Sequence, residues 1–329
     1  MYAPVVIFVY NRPIHTKKML ESLNENYLSN ETDVFIFADG PKIGTMMSDE
    51  IVETRKIINS LQSNNKFKSL SITESVSNKG LANSVIGGIS QLFEKYETVI
   101  VLEDDLMLSR DFLKYMNEAL SYYQENAKVW SVSGNTPTLR INNGNNVFFA
   151  PRINSWGWGT WRDRWNKVDW NCSEYNMFSF MQRKRFNKGG KDLSMMMDHQ
   201  ILKLIDSWAI RWSFNSFIND TYTVYPIISK VKNIGMDESG SHNLIKVNEY
   251  KKIYLQGQIK EKCIEFTDFY VDKNMEDEFA KCYKPSIVMK ISNYFLLILT
   301  YFFGVENIRK LNIRKFYTSF KKIISRKFI

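Results

Sequence analysis

Unbroken apolar runs alternate with helical spacing along the first third of the chain. Val5 to Val9 is continuously apolar and mostly β-branched, the mark of a strand covered on both faces and so of a parallel sheet. Asn11-Arg12-Pro13 breaks that run, and Ile14 to Leu23 continues at helical spacing. Val34 to Phe37 is a second buried run, closed by the turn sequence Ala38-Asp39-Gly40-Pro41. Ile51 to Leu61 predicts a helix, Leu70 to Glu74 a short strand, and Leu81 to Tyr96 a helix with apolar residues at 81, 85, 86, 89, 92 and 93. Thr98 to Leu102 is a third buried run that ends in Glu103-Asp104-Asp105, and Phe112 to Tyr123 follows as a helix.

Strands alternating with helices predict an α/β fold whose ligands bind beyond the carboxyl ends of the strands. Asn11, Arg12, Asp39, Glu103, Asp104 and Asp105 all stand at such ends. The second half differs in character. Trp156, Trp158, Trp161, Trp165 and Trp170 crowd one segment, a polar helix is expected over Asp198 to Trp208, and Thr221 to Tyr225 reads as a strand. No repeat or low-complexity linker separates the halves, so one continuous domain is expected.

Composition changes the picture mainly towards the C-terminal end. The 329 residues are 44% apolar and 24% charged, which supports a substantial core and excludes the disordered and disulfide-scaffold classes. The formal charge is +9, yet ten Lys/Arg and one acid, Glu306, lie from Lys284 onward, leaving residues 1–283 neutral overall. A nucleic-acid partner would require cations spread over the folded body, so none is expected. Ile291 to Val305 is fifteen residues without a charge, short of the ~20 that span a bilayer. Beyond it, Ile313, Phe316, Tyr317, Phe320, Ile323 and Ile324 fall on one helical face, with Arg314, Lys315, Lys321, Lys322 and Arg326 on the other. That pattern predicts a basic amphipathic tail over 284–329 lying on an anionic membrane, the alternative being a helix docked on the core or on a protein partner. Cys172, Cys263 and Cys282 are far apart, with no CxxC pair, which fits a reducing compartment. With no basic leader before Pro4 to Val9, the expected location is cytoplasmic, peripheral on the inner face of the cell membrane.

Three adjacent carboxylates at a strand end repel one another unless a cation or hydrogen-bond donors offset them. Strand geometry puts Glu103 and Asp105 on one side and Asp104 on the other. Oxygen ligands with open positions suit Mg²⁺ or Mn²⁺ bridging a substrate diphosphate; the alternative is an acidic loop capping the helix near Asp111. With these features the sequence resembles the nucleotide-sugar glycosyltransferases of the GT-A fold, bacterial family 2-like and N-acetylglucosaminyltransferase I-like, over roughly Ala3 to His242. Tyr10-Asn11-Arg12-Pro13 resembles the family's first nucleotide-contacting loop, and Asp39 the acid that contacts uracil or ribose. Asn78-Lys79-Gly80-Leu81-Ala82-Asn83 resembles the stretch before the helix leading to the metal motif. Glu103-Asp104-Asp105 is similar to the E-D-D variant of D-x-D, whose last acid, here Asp105, is the direct metal ligand. Trp156-Gly157-Trp158-Gly159-Thr160 resembles the glycine-rich loop beside donor and acceptor. Asp198 stands where the family places its catalytic carboxylate, although Met197 replaces the commoner acid before it, and His242 stands where many members have a late histidine reaching the metal or diphosphate.

The resemblance implies a Rossmann-like mixed, mostly parallel sheet flanked by helices over residues 1–283. Its parts would be a nucleotide-sugar-binding half (1–110), an acceptor and catalytic half (111–245) and a connecting segment (246–283). It implies a metal-dependent inverting hexosyl- or N-acetylhexosaminyltransferase, with a UDP-sugar as the family-default donor. The acceptor would be a saccharide or lipid-linked saccharide in surface polysaccharide or glycan assembly. Mn²⁺ or Mg²⁺ on Asp105 and His242 would neutralise the leaving diphosphate, and Asp198 would take the acceptor proton. Donor contacts would fall to Tyr10, Asn11, Arg12, Asp39, Lys79, Glu103 and Asp104, and acceptor contacts to Trp156, Gly157 and Trp158. Read residue by residue, alternatives stay open: Asp39 as a turn residue, Asp198 as a helix cap, His242 as a solvated loop residue, the tryptophans as core. A dinucleotide oxidoreductase would need G-x-G-x-x-G where the sequence has Tyr10-Asn11-Arg12-Pro13-Ile14-His15. A non-catalytic membrane-surface scaffold would keep the same α/β body, and metal-dependent nucleotide binding separates it from an enzyme.

Overall fold

The computed structural model describes residues 2–141, 144–235 and 264–304. Its first half runs β1 (Val5–Val9), α1 (Pro13–Asn24), β2 (Asp33–Ala38), α2 (Asp49–Ser60), β3 (Ser69–Glu74), α3 (Leu81–Leu92), β4 (Thr98–Glu103), β5 (Leu106–Leu108) and α4 (Phe112–Tyr122). The second continues with β6 (Val129–Ser133), β7 (Val147–Ala150), β8 (Trp158–Trp161), α5 (Arg162–Trp165), α6 (Phe180–Phe186), α7 (Leu193–Ile201), α8 (Trp208–Ile218), β9 (Tyr222–Pro226) and β10 (Val231–Asn233). Two helices follow, α9 (Lys273–Lys281) and α10 (Ile287–Phe303).

Eight strands from both halves form one sheet in the order β3-β2-β1-β4-β8-β6-β9-β7, and β5 and β10 form a separate antiparallel pair. β3, β2, β1 and β4 are parallel, β8 runs antiparallel between β4 and β6, and β7 runs antiparallel to β9. This is the mixed, mostly parallel α/β architecture that the sequence predicts. Alternation along β1 sorts its side chains: Val5, Ile7 and Val9 pack with α1, α2 and α4, whereas Val6 and Phe8 pack with α3 and α8. Covering both faces is why β1 is apolar at every position.

Three sequence expectations need correction. The helix expected over Asp198 to Trp208 is two helices, α7 and α8, because the chain turns at Leu202–Ser207 and Lys203 takes a left-handed φ of 57°. The tryptophan-glycine segment is a loop only as far as Gly157; Trp158–Trp161 is the buried strand β8. Trp158 is therefore core, with 1% of its surface exposed, its ring packed on Trp208 and Trp212. It is not available to stack on a sugar. Six tryptophans, Trp130, Trp158, Trp165, Trp170, Trp208 and Trp212, form this cluster between the sheet and α8.

The segment after residue 263 packs back onto the body. Phe266 meets Tyr122 and Tyr123, Phe269 meets Phe149, and Met275 and Phe279 of α9 bury against Phe148 and Tyr225. In α10, Leu296 packs on Leu202 and Leu204. Among the described residues no helix is long and apolar enough to cross a membrane. The basic stretch 305–329 lies outside the described residues.

Candidate functional site

Register builds the site. Phe8 pairs with Glu103 and Val9 with Ala38, so the residues that follow, Tyr10, Asp39 and Asp104, leave three neighbouring strands side by side. Pro13 at the first turn of α1 ends the strand reading and sets Arg12 at the helix entry. The Arg12 guanidinium reaches across, donating from Nη1 to Asp105 Oδ2 at 2.8 Å and lying 3.7 Å from Asp104 Oδ1.

A third segment closes over this pair. β10 runs antiparallel to β5, the Ile234 N–H donates to the Asp105 carbonyl at 2.8 Å, and Arg12 Nη2 donates to the Gly235 carbonyl at 3.0 Å. A side chain at 235 would put its Cβ 2.2 Å from Asp105 Oδ2 and 2.7 Å from the Arg12 guanidinium nitrogens, so the Arg12–Asp105 contact in this geometry requires glycine there. Sequence reasoning assigned no role to Gly235. The signal that could have found it is a glycine two residues past a short strand.

The electrostatics of the acid triplet are unfavourable in isolation. Burial, reinforced by the Asp105 charge, pushes the Asp104 carboxyl up to about 7, although Arg12 and the Tyr10 backbone N–H pull the other way. Burial also pushes Glu103 well above the ordinary carboxylate range, with Asp105 and Asp104 adding to it. Among the described residues, Asp105 Oδ1 is buried with no hydrogen-bond partner. Among the described residues no group of three or more His, Cys, Asp or Glu side chains is arranged to hold a metal ion. One free carboxylate oxygen next to crowded acids nevertheless fits a Mg²⁺- or Mn²⁺-type cation, which commonly takes one or two carboxylates and completes its shell with substrate phosphates and water. His242 lies outside the described residues.

Asp39 is a structural hinge of the neighbouring loop. Its Oδ1 accepts from the Gly40 and Lys79 N–H groups at 2.9 and 2.8 Å, and its Oδ2 from Gly80 at 3.1 Å. It thereby holds the entry to α3, Lys79 included, against the strand ends. On the other flank, Asn135 and Asn154 are hydrogen-bonded at 2.9 Å, and Asn154 Oδ1 accepts from the Trp156 N–H. Gly157, at a φ of 64°, brings its carbonyl to the Gly134 N–H. Trp156 is half-buried on the rim of this loop.

Asp198 sits within α7 rather than at its start, so it is not a cap. It is 6% exposed, and both its donors, Arg183 Nη1 at 2.5 Å and the Tyr175 hydroxyl at 3.0 Å, converge on Oδ1. Among the described residues Oδ2 accepts no hydrogen bond. Burial, then the neighbouring Asp198 charge, pushes the Tyr175 hydroxyl far up, so it remains a neutral donor. The structure thus brings together Tyr10, Arg12, Glu103, Asp104 and Asp105, and sets Asp39 with Lys79 beside them, while Asp198 belongs to its own cluster with Tyr175 and Arg183. Asn11 is exposed at the strand end.

No family model matches the chain, and a search of the curated proteins finds no relative. Among solved structures, the chain is similar to S. aureus TarS 1-349, at 12% identity and a TM-score of 0.43 over 72% of this chain and 61% of that one. It is also similar to TarS 1-349 in complex with UDP-GlcNAc, at 11% identity and a TM-score of 0.38 over 68% of this chain and 55% of that one. A third is the mannosyltransferase PcManGT from Pyrobaculum calidifontis in complex with GDP-Man and Mn²⁺, at 17% identity and a TM-score of 0.36, over 50% of this chain and 46% of that one. The chain spans less than two thirds of the length of each of these proteins.

Proposed function

We propose that the protein is a metal-dependent inverting glycosyltransferase, moving a hexosyl or N-acetylhexosaminyl group from a UDP-sugar to a saccharide or lipid-linked acceptor in surface polysaccharide or glycan assembly. The observation that carries this reading is the buried, unpartnered Asp105 Oδ1 among crowded acids at the end of β4, with the Arg12 guanidinium on its other oxygen. Mn²⁺ or Mg²⁺ held by Asp105, with His242 as a further ligand, would supply charge neutralisation for the departing diphosphate. Arg12 would orient Asp105 and add positive charge beside it. Asp39 would fix the 78–80 loop, bringing Lys79 to the donor with Tyr10 and Asn11, while Glu103 and Asp104 would surround the metal ligand. Trp156 and Gly157 would border the acceptor.

Asp198 has the form of a positioned base. Its Oδ1 is pinned by two donors, which leaves Oδ2 to receive the acceptor proton. Attack from the face opposite the leaving group inverts the anomeric carbon. The basic tail would hold the protein at the inner membrane surface, next to lipid-linked acceptors.

Calorimetric titration of UDP with and without Mn²⁺, repeated on Asp105→Asn, tests the site. Binding that requires the metal and is lost in the variant is expected. Binding that ignores the metal would remove Asp105 as its ligand.

A further inference from the structure

The folded body carries a second feature that the transferase reading does not use. Residues 175–191 contain five Lys/Arg and no acid. Within them Met177, Phe180 and Met181 are 82%, 80% and 62% exposed. They are not loose. Ser179 caps α6 through a reciprocal bond pair with Gln182, while Phe178 and Phe186 turn inward against Phe214 and Phe217. The fold therefore has inward positions for three aromatic residues of this segment, Tyr175, Phe178 and Phe186, and holds three large apolar side chains out in water. Arg183 is committed to Asp198, but Lys184, Arg185 and Lys191 are exposed. Phe180 and Lys184 are four residues apart on α6, as are Met181 and Arg185, so each of these two apolar tips has a cation one turn behind it.

We propose that this knuckle, residues 177–191, docks on an anionic lipid bilayer, with Met177, Phe180 and Met181 entering the interface and Lys184, Arg185 and Lys191 meeting the lipid phosphates. The proposal rests on the reading that the protein works at a membrane surface. Cations alone would suit any polyanion; rigidly exposed apolar tips ahead of them favour a surface with a hydrocarbon layer beneath its charge. α6 packs on α7, and α10 packs on the Leu202–Leu204 turn that follows α7. In α10, Ile287, Tyr294 and Phe302 are 67%, 70% and 73% exposed. Two helices with exposed apolar residues thus lie beside α7 and the turn that follows it, which would set the acceptor side of the protein against the membrane holding a lipid-linked acceptor.

The test uses the full chain with Met181→Cys, in a Cys263→Ser and Cys282→Ser background, labelled with an environment-sensitive NBD group. Cys172 stays in place, because it is buried and burial pushes its thiol up to about 12, which keeps it unreactive. On vesicles of phosphatidylcholine with phosphatidylglycerol the emission is expected to shift to the blue and brighten; on phosphatidylcholine alone it is expected not to change. Each cation contributes ~1 kcal/mol at such a surface, so Lys184→Gln with Arg185→Gln should lower vesicle partition about 30-fold. Co-sedimentation is measured on the same samples. A chain that sediments with anionic vesicles while the label stays unchanged overturns this surface and leaves the membrane reading standing. A chain that does not sediment overturns both. A blue shift that grows with protein concentration without lipid assigns the patch to a second copy of the chain.

Discussion

Replacing Asp198 by Asn separates the two things this carboxylate can do. In the structure it neutralises Arg183 and presents Oδ2, and the two roles respond differently. Breaking a fully buried ion pair costs ~3–5 kcal/mol, while exposed pairs contribute ~0–1 kcal/mol. Arg183 lies between these limits, with 30% of its side chain exposed, a bond to the Tyr175 hydroxyl at 2.8 Å and its guanidinium 4.6 Å from the Tyr175 ring centre. Asn also keeps an oxygen at the Oδ1 position. The expected loss is therefore about 2 kcal/mol, or a fall in Tm of about 3 °C in a chain of this size. Loss of the proton acceptor should lower kcat by about 10²–10⁴. Arg183→Gln is the control: it breaks the same pair and should lose similar stability, yet it keeps the carboxylate and should retain turnover within about tenfold. Thermal unfolding gives the first quantity, and UDP release in the presence of acceptor gives the second. If both variants keep turnover, or if both lose it in proportion to stability, Asp198 is a strut and not a base.

Gly235→Ala should displace Arg12 from Asp105, since the new methyl falls on their side-chain ends and not on backbone; metal-dependent UDP affinity should drop at least about tenfold with under ~1 kcal/mol lost in urea unfolding. An unchanged affinity would show that the Arg12–Asp105 contact is dispensable. Asp104 titrates near 7 in the fold against 3.8 when unfolded, so the native state binds its proton more tightly and stability from this group falls as pH rises from about 4 to 7. Asp104→Asn should remove that slope, stabilising the metal-free protein at pH 8 relative to pH 5 by about 3 kcal/mol; an equal pH difference in both proteins would refute it. Arg152→Leu should cost about 3 kcal/mol by orphaning Asp192, to which Arg152 donates at 2.7 and 3.0 Å, and the double variant Arg152→Leu, Asp192→Leu should recover part of that loss. A double variant that loses the sum of both single effects would mean the two residues act independently.

The parts of this architecture written in local pattern are legible in the amino-acid sequence. β1 to β4 and the helices between them lie within a few residues of their expected limits, because strands buried on both faces are continuously apolar and helices covering them repeat at 3.6. The strand ends were legible for the same reason, and with them Arg12, Asp39 and the acid triplet. What local pattern does not encode is pairing between distant segments. β5 and β10 are three residues each and acquire strand geometry only from one another, across more than a hundred residues of chain. The glycine that lets β10's end close on Asp105 was therefore invisible as a site residue, although its neighbours were in view.

The tryptophans show how one residue spacing can answer to two different chemistries. Alternating Trp and Gly at 156–159 suggests an aromatic platform with close backbone approach, and close approach is present. A Cβ at Gly159 would come 2.9 Å from the Val99 carbonyl oxygen, and one at Gly157 would come 2.8 Å from Val231. The approaching partner is the protein's own backbone and core, because β8 runs antiparallel between β4 and β6 and puts Trp158 and Trp161 on opposite faces of the sheet. Spacing alone could not choose between sugar and core, since both reward a flat apolar ring beside a residue without a side chain. Strand alternation decides it: once Trp158 faces inward, Trp156, two residues before it and on the loop side of the left-handed Gly157, is the ring of this pair left at the rim. If an acceptor sugar stacks on an aromatic residue here, Trp156→Ala should weaken acceptor binding while leaving UDP affinity unchanged, and should cost less stability than the same change at Trp158 because Trp156 is only half-buried against the core. Trp158→Ala should instead cost ~3–5 kcal/mol of stability by opening a cavity in the cluster.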